Sequence, residues 1–322
     1  MSTIGTEEQN KCAVYCNSRI NGGGEQSAKM IATMLSCPLY SLTTNEWKER
    51  PAPKKQIWYM NDFAQKINDC DKRNHFQHIV QAGEKVYFVL NFVNGQIHKT
   101  SWLAEKVRRV FFLNQQKLDE FQSACIDEWK DVSKRAYPPP VNIQQYLDIE
   151  RPFGRKPIVI GRHSRMSLKY PIDDPGYLYR ELAKQIPEAN YAFQIPHKRI
   201  TKEFKDDMRF RLQTWDQQSV REFLASIDIY AAIISPKVRD QGPRVLMEAM
   251  ASGLPCVVEN RDGMKERMIN GVTGYLVDSQ DEAIKRIIEL YNDKNLRMAM
   301  GKKARLRAKE FDPTRWIKDM ED

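Results

Sequence analysis

The feature that most constrains the fold is an alternation of strand-like and helix-like segments that recurs in both halves of the chain. Short apolar runs such as "KVYFVLNF" (85–92) and "DIYAAIIS" (228–235) have the length of strands, and segments with helical apolar spacing separate them. Strands that alternate with helices form parallel sheets, because parallel neighbours need a crossover connection between them. The alternation therefore predicts an α/β fold.

The alternation is interrupted near the middle of the chain, at "AYPPPVNIQQYL" (136–147). Three consecutive prolines favour a stiff, extended connector. A chain of 322 residues is also long for a single core. We therefore expect two domains, residues 1–150 and 151–305, and a C-terminal helix over 306–322 that could cross back to the first domain.

Charge and composition narrow the classes of partner. The chain has 51 basic and 42 acidic residues, a net charge of +9, which suits nucleic acid, an anionic membrane surface or a nucleotide-binding enzyme with a basic face. The N-terminus "MSTIGTEEQN" is polar, and no apolar run approaches the ~18 residues of a membrane span. We expect a cytoplasmic protein. The basic run "KKARLRAK" (302–309) is interpreted as a solvated helix face, with a polyanion contact as the alternative.

Cysteines, histidines and acidic pairs give no convincing metal site. The six cysteines lack a C-x-x-C pair, and the five histidines have no ligand spacing beside them, so reduced thiols are expected. His75 and His78 share one helical turn and are interpreted as a solvated pair. The pairs 173–174 and 206–207, each two aspartates, are interpreted as turns or helix starts.

The strongest candidate site lies in "RDQGPRVLMEAMASGLPCVV" (239–258). Pro243 suits the first position of a helix, where its missing N–H costs nothing. Gly253 marks the end of that helix in a left-handed conformation, and the following proline forbids its continuation. Asp240 then lies in the loop before the helix, and Glu248 lies on the helix itself.

Two interpretations of this helix remain open. Glu248 shares a polar face with Arg244 and Ser252, so the pair Arg244–Glu248 could be an ordinary surface pair contributing roughly 0.3 to 0.5 kcal/mol. Alternatively, the N–H groups at the helix start face an anion held at 242–245. Segments 22–24, 162–169 and 240–248 all follow strands, and ligands of such sheets bind at the carboxyl ends of strands, which favours a ligand site.

Several segments resemble the retaining GT-B glycosyltransferases of family GT4. "GPRVLMEAMASGLPCVVENRDGMKERMINGVTGYLV" (242–277) resembles their donor-site signature. "VIGRHSRMSLKYP" (159–171) resembles their phosphate-binding segment, and "NGGGEQSAKMIATML" (21–35) resembles their N-terminal glycine loop. The resemblance implies the GT-B fold, with two Rossmann-like domains facing across a cleft.

The resemblance also implies roles on the donor side. Glu248 would bind the ribose hydroxyls of a nucleotide sugar. Asp240 would replace the first glutamate of the family motif, which contacts the sugar, with a side chain one methylene shorter. Arg162 and Lys169 would hold the diphosphate, with Arg165 as an alternative. The remaining donor-binding positions implied are Gly23, Gly24, Gly242, Pro243, Arg244 and Val245.

Catalysis of this type needs neither a metal nor a protein nucleophile. Breaking a sugar–phosphate bond leaves a nucleoside diphosphate whose growing negative charge is stabilised by fixed cations and helix N-termini. Retention in the family is attributed to same-face attack assisted by the leaving phosphate. His98 is the candidate residue on the acceptor side. The candidate catalytic set is therefore Asp240, Arg162, Lys169 and His98.

The function expected from the resemblance is transfer of a sugar from a nucleotide-diphosphate donor, with a UDP-sugar favoured and no further cofactor. The acceptor expected is a glycan or a lipid-linked saccharide. A DNA glycosyltransferase acting on a hydroxymethylated base is the first alternative, because the chain is basic. A non-catalytic nucleic-acid-binding relic of the fold is the second. An oxidoreductase is poorly supported, since no G-x-G-x-x-G follows the first strand.

Overall fold

The structure is a computed structural model that describes most of the chain. The residues described are 11–16, 23–44, 46–48, 51–60, 70–90, 101–124, 127–152, 154, 156–164, 170–171, 173–214, 216–240 and 243–321. For residues 23, 70–75 and 101 the description covers the backbone alone.

The chain divides into two compact units. The first comprises Met1–Val141 together with Pro313–Asp322, and the second comprises Asn142–Asp312. The division follows the three prolines directly, whereas the sequence placed it near residue 150. The segment 142–150 belongs to the second unit because its side chains and carbonyls bond there. Arg221, for example, donates to the Gln145 carbonyl at 2.9 Å.

The first unit is built on a six-stranded parallel sheet in the order β2-β1-β3-β4-β5-β6. Its strands are β1 Cys12–Cys16, β2 Leu39–Ser41, β3 Lys55–Met60, β4 Lys85–Leu90, β5 Val107–Phe112 and β6 Ser133–Ala136. Its helices in the first chain segment are α1 Gly23–Met34, α2 Cys70–Ala82, α3 Ser101–Ala104, α4 Gln115–Ser123 and α5 Asp127–Lys130, with a 3-10 turn at Glu46–Lys48. Both faces of the sheet are covered by apolar clusters, as parallel sheets require.

The second unit is built on another six-stranded parallel sheet, in the order β12-β11-β10-β7-β8-β9. Its strands are β7 Val159–His163, β8 Asn190–Gln194, β9 Phe210–Gln213, β10 Ile229–Ala232, β11 Cys256–Glu259 and β12 Tyr275–Val277. Its helices are α6 Gln144–Leu147, α7 Tyr177–Gln185, α8 Lys198–Phe204, α9 Val220–Ala225, α10 Arg244–Ala251, α11 Asp262–Arg267, α12 Gln280–Asn292 and α13 Lys294–Lys309.

Helix α14, Thr314–Glu321, packs on the first unit. Tyr87 donates to the carbonyl of Met320 at 2.9 Å, and Arg109 donates to the carbonyl of Asp319 at 2.6 Å. Trp316 is 1% exposed, and its ring lies 4.9 Å from that of Phe111. Helix α13 runs through residues 305 and 306 without a break, so the chain leaves the second unit after α13 ends.

The basic run 302–309 is only partly a solvated face, which corrects the sequence interpretation. Lys302, Lys303 and Lys309 are exposed. Arg305 and Arg307 instead turn inward and donate to backbone carbonyls of other elements. Arginine can do this because its planar fork of donors reaches several carbonyls at once. Within the described residues, no helix is long and apolar enough to cross a membrane.

Candidate functional site

The order of the second sheet points to one place for a ligand. Strands β7 and β10 are neighbours, and the chain leaves them toward opposite edges of the sheet. In open α/β sheets, ligands bind at the carboxyl ends of the strands where the order reverses. Among the described residues, 164 follows β7 and 233–240 follow β10, so both neighbouring strands lead into segments singled out in the sequence.

Helix α10 is the element nearest the sequence prediction. It begins at Arg244, so Pro243 is its N-cap residue rather than its first residue, and the proline supplies no side-chain bond to the helix start. Gly253 has φ +75°, the left-handed conformation that the sequence predicts for the end of the helix. Its N–H donates to Met250, and that of Leu254 donates to Ala249, the bonding pattern of a Schellman motif.

Glu248 is buried, which corrects the interpretation of its face as a solvated surface. The residue is 8% exposed, and Ser252 on the same side is 0% exposed. A guanidinium nitrogen of Arg244 lies 3.8 Å from a carboxylate oxygen of Glu248, with both side chains largely enclosed. Tyr146 on α6 also lies beside the Glu248 carboxylate. Burial together with the neighbouring carboxylate raises the pKa of Tyr146, so its hydroxyl stays protonated.

Asp240 is held in its loop through its backbone. Its N–H donates to Asp262 at 3.3 Å, and its carbonyl accepts from Gly263 at 3.2 Å. Asp262 also accepts from the guanidinium of Arg239 at 3.0 Å, although its own side chain is only 1% exposed. Asp262 has φ +47°, a conformation that aspartate tolerates better than most residues. The first turn of α11 thus positions the loop in front of α10.

Arg261 fixes the earlier part of the same loop. Its guanidinium donates to the carbonyl of Ser235 at 2.5 Å and to that of Val238 at 2.9 Å. Glu259 at the end of β11 accepts from the Nε of Arg261. Burial raises the pKa of Glu259, and the arginine beside it opposes that shift. The loop after β10 is therefore tied to the β11–α11 turn over most of its length.

Arg162 lies at the predicted strand end, but its side chain is enclosed. It is 1% exposed, its Nη1 donates to the carbonyl of Ile233 at 2.6 Å, and its guanidinium lies 3.7 Å from the centre of the Tyr170 ring. The Tyr179 hydroxyl lies beside the guanidinium and donates to the carbonyl of Ala231 at 3.4 Å. A buried cation therefore lies beneath the edge formed by β7 and β10. Direct contact between Arg162 and a diphosphate stays a prediction, because a ligand would have to reach a guanidinium that is buried.

Other residues named from the sequence lie outside the described part of the chain. These are Arg165, Lys169, His98 and Gly242. Gly23 and Gly24 are the first two residues of helix α1, directly after a stretch that is also outside the description. Val245 is half-buried in the first turn of α10. Among the described residues, no group of three or more histidine, cysteine or acidic side chains is arranged to hold a metal ion.

Three residues that hold this site were not found by sequence reasoning. Tyr146 contacts Glu248 from a helix about a hundred residues earlier in the chain, and Arg261 and Asp262 anchor a loop more than twenty residues before them. Local periodicity carries no signal for contacts of such sequence separation. The dipeptide Asp262-Gly263 after a strand was the available hint, because it favours a turn.

Comparison with known families matches part of the second unit. Residues 194–307 match the family described as glycosyl transferases group 1. A stretch of 91 residues, 28% of this chain and 23% of the relative, is 36% identical to N-acetyl-alpha-D-glucosaminyl L-malate synthase of Bacillus anthracis. A stretch of 129 residues, 40% of this chain and 31% of the relative, is 26% identical to trehalose synthase of Thermococcus litoralis. The chain thus spans less than a third of the length of these curated relatives.

Comparison with solved structures covers nearly the whole chain. Anabaena HepE in complex with UDP-glucose has a TM-score of 0.71 at 14% identity, over 97% of this chain and 98% of that one. A glycosyltransferase from Rickettsia africae has a TM-score of 0.68 at 15% identity over the same shares. The pneumococcal O-GlcNAc transferase in complex with UDP and GlcNAc has a TM-score of 0.62 at 17% identity, over 92% and 60%. The chain has two parallel-sheet Rossmann-like α/β units, as GT-B glycosyltransferase structures do.

Proposed function

We propose that this protein transfers a sugar from a UDP-sugar to a hydroxyl of an acceptor. The family match over residues 194–307 includes Asp240 and Glu248. It also includes Arg261 and Asp262, which anchor the loop after β10. The fold is shared with HepE, which was crystallised with UDP-glucose, and with a transferase crystallised with UDP and GlcNAc. UDP-glucose and UDP-N-acetylglucosamine are therefore the first donors to examine.

The position of Glu248 is the single observation that carries this proposal. A nearly buried carboxylate on α10 lies one turn behind the helix start, where Arg244 and Tyr146 orient it. An ionised carboxylate accepts hydrogen bonds, and the vicinal hydroxyls of a ribose donate them. An ordinary surface pair would not enclose its carboxylate to this extent or add a tyrosine from another helix. These features favour the ligand interpretation over the surface pair.

The diphosphate of the donor is proposed to lie at the N-terminus of α10. The positive end of the helix dipole and the N–H groups of its first turn favour an anion there. Arg162 adds a positive charge from beneath the same edge, and Lys169 or Arg165 would supply a further contact from the segment after β7. Together these groups would stabilise the charge that develops on UDP as the sugar–phosphate bond breaks.

Asp240 is proposed to face the sugar of the donor. Its loop is held by backbone bonds and by Asp262, so its carboxylate would be presented from a fixed position. Retention of the anomeric configuration is part of the proposal, with same-face attack and no protein nucleophile. The test of retention is an NMR spectrum of the first product formed, in which the anomeric coupling constant distinguishes the two outcomes.

A glycan or other saccharide is the acceptor proposed, and His98 is the proposed acceptor-side residue. Trehalose synthase of Thermococcus litoralis is named for a saccharide product, whereas the Bacillus anthracis relative is named for a product that joins a sugar to L-malate. Transfer to duplex DNA containing a hydroxymethylated base, rather than to saccharides, would replace this acceptor while leaving the donor site in place. Binding of duplex DNA with a steep salt dependence, but without donor turnover, would favour a non-catalytic protein.

The proposal is tested with Glu248→Gln, which keeps the shape of the side chain and removes its charge. Hydrogen bonds to a charged acceptor contribute about 1.5 to 3 kcal/mol, so UDP-glucose affinity in calorimetry is expected to fall roughly 10- to 100-fold. Glu188→Gln, at an exposed position of the same unit, is the matched control and should leave affinity unchanged. Equal affinity in both variants would exclude Glu248 as a donor ligand.

A further inference from the structure

A cavity of about 710 Å³ opens at the carboxyl ends of β8 and β9, in the second unit. Three lysines, two threonines and one histidine contribute to its lining, and these residues are His197, Lys198, Thr201, Lys202, Lys205 and Thr214. The volume lies within the range of about 300 to 1,000 Å³ that small-molecule sites occupy. Nothing in the donor-site interpretation uses these residues.

The basic side chains come from one face of helix α8 and the residue after it. Lys198, Lys202 and Lys205, the lysine stripe, have the spacing i, i+4 and i+7, with Thr201 between the first two. The opposite side of the helix carries Ile200, buried in the core. The helix therefore packs its apolar side against the core, and all three lysines of the stripe line one cavity.

The charges around the cavity are unbalanced. Of the described residues that line it, none is acidic. Among all described residues, Lys198 and Lys202 have no carboxylate within ion-pair distance, while Lys205 lies 3.9 Å from the largely exposed Asp206. The carboxylate nearest to the lining threonine Thr214 is that of Asp216, which accepts from the Thr214 hydroxyl at 2.6 Å. Like charges at i, i+3 and i+4 disfavour a helix, so this stripe works against local stability unless an anion neutralises it.

The turn that precedes α8 also lines the cavity, and its backbone has an uncommon conformation. Ile195 has φ +61°, which is a genuine outlier for a β-branched side chain. Its N–H donates to the Gln213 carbonyl at 2.8 Å, and its own carbonyl accepts from Tyr170 at 3.4 Å. His197 then caps α8 by accepting from the Arg199 N–H at 3.2 Å. These bonds fix the turn that leads into α8.

We propose that the lysine stripe binds a compact anion that carries two or more phosphate groups. Three ammonium groups at 198, 202 and 205 supply positive charge along about two helical turns. The stripe is confined to one seven-residue helix and the residue after it, which favours a small ligand over a nucleic acid duplex, because a duplex binds along extended basic surfaces. The proposal stands on α8 and its cavity and does not depend on the donor site at Glu248.

Inorganic tripolyphosphate is the probe, titrated calorimetrically into the full-length protein at two salt concentrations. The triple variant K198Q/K202Q/K205Q removes the stripe. The triple variant K302Q/K303Q/K309Q removes three exposed lysines of α13 and matches it in net charge. The dissociation constant is expected to rise at least about tenfold in the stripe variant and to stay within about twofold in the control, because only the stripe contacts phosphate.

Three results would overturn the proposal. The first is no binding to the parent protein at about 1 mM probe, and the second is an equal loss of affinity in both triple variants. The third is a duplex oligonucleotide that binds more tightly than tripolyphosphate with the same dependence on the stripe, since the ligand would then be nucleic acid. UDP binding measured on the same samples separates the two sites, because the stripe variant should retain it.

Discussion

The two ends of helix α10 differ in what satisfies their backbone groups. At the C-terminal end, Arg305 donates to the carbonyls of Ala251 and Ser252 at 3.1 and 2.8 Å, and Arg151 donates to Ser252 at 2.8 Å. At the N-terminal end, Pro243 supplies no side-chain bond. Guanidinium groups of the protein thus neutralise the negative end of the helix dipole. The positive end adjoins the loop after β10, which Arg261 and Asp262 hold in place.

We infer from this difference that the C-terminal end of α10 contributes mainly to stability and the N-terminal end mainly to ligand binding, although the helix has only eight residues. Permanent charged bonds at the C-terminal end hold α10 against α13 and the segment that follows the prolines. The N-terminal end depends on Asp262, whose bonds position the Asp240 backbone rather than capping the helix. Changes at the first end should therefore affect unfolding, and changes at the second should affect ligand affinity.

The largest expected effect on stability is that of Arg305→Ala. The substitution removes the hydrogen bonds that the Arg305 guanidinium donates to the carbonyls of Ala251, Ser252 and Ile149. Because water replaces some of these bonds, the free energy of unfolding should fall by about 2 to 4 kcal/mol. Chemical denaturation measures this loss, and Lys302→Ala on the same helix is the control. UDP-glucose affinity of the folded variant should change little; a large loss of affinity would break the separation between the ends.

A smaller effect is expected from Gly253→Ala. At φ +75° an alanine is strained by roughly 1 kcal/mol, and its Cβ would lie 2.8 Å from Nη2 of Arg305. Gly271→Ala is a matched control, because φ is +73° there and the added carbon meets nothing within 4 Å. The difference between the two variants isolates the contact with Arg305. Equal losses of unfolding free energy would show that this contact contributes nothing.

The smallest expected effect on stability is that of Asp262→Gly, which tests the loop at the N-terminal end of α10. Glycine is favoured at φ +47°, so the relief of backbone strain should offset much of the loss of the two hydrogen bonds accepted by Asp262. Donor affinity should still fall about fivefold, because the Asp240 loop loses its anchor. Thermal unfolding and calorimetry on one sample give both values. Unchanged affinity would contradict the role assigned to this loop.

Much of the second unit could be predicted from sequence because its signals are local. Pro243 and Gly253 bracket α10 within one residue, and the strand-like runs match β10 and β11. Periodicity failed for Glu248, since it shows which residues share a face but not what covers that face. Here α6 and α13 pack on α10, so a polar side of the helix is buried.

The same limit explains the basic run near the C-terminus. Arg305 and Arg307 alternate with lysines and apolar residues, and nothing in that pattern distinguishes a solvated cation from one that caps a distant helix. A related reason explains why the sequence places the domain boundary near residue 150, whereas the structure divides the chain after Val141. The segment after the prolines carries Tyr146, whose partner Glu248 is remote in sequence.

The most direct test of the account compares UDP with uridine in calorimetric titrations of the unmodified protein. If the diphosphate lies at the N-terminus of α10 and Glu248 holds the ribose, both ligands should bind, and UDP should bind about 100-fold more tightly because charged contacts to phosphate are added. Equal affinities would contradict a diphosphate site at this helix end. Absence of binding by either ligand would contradict the donor site as a whole.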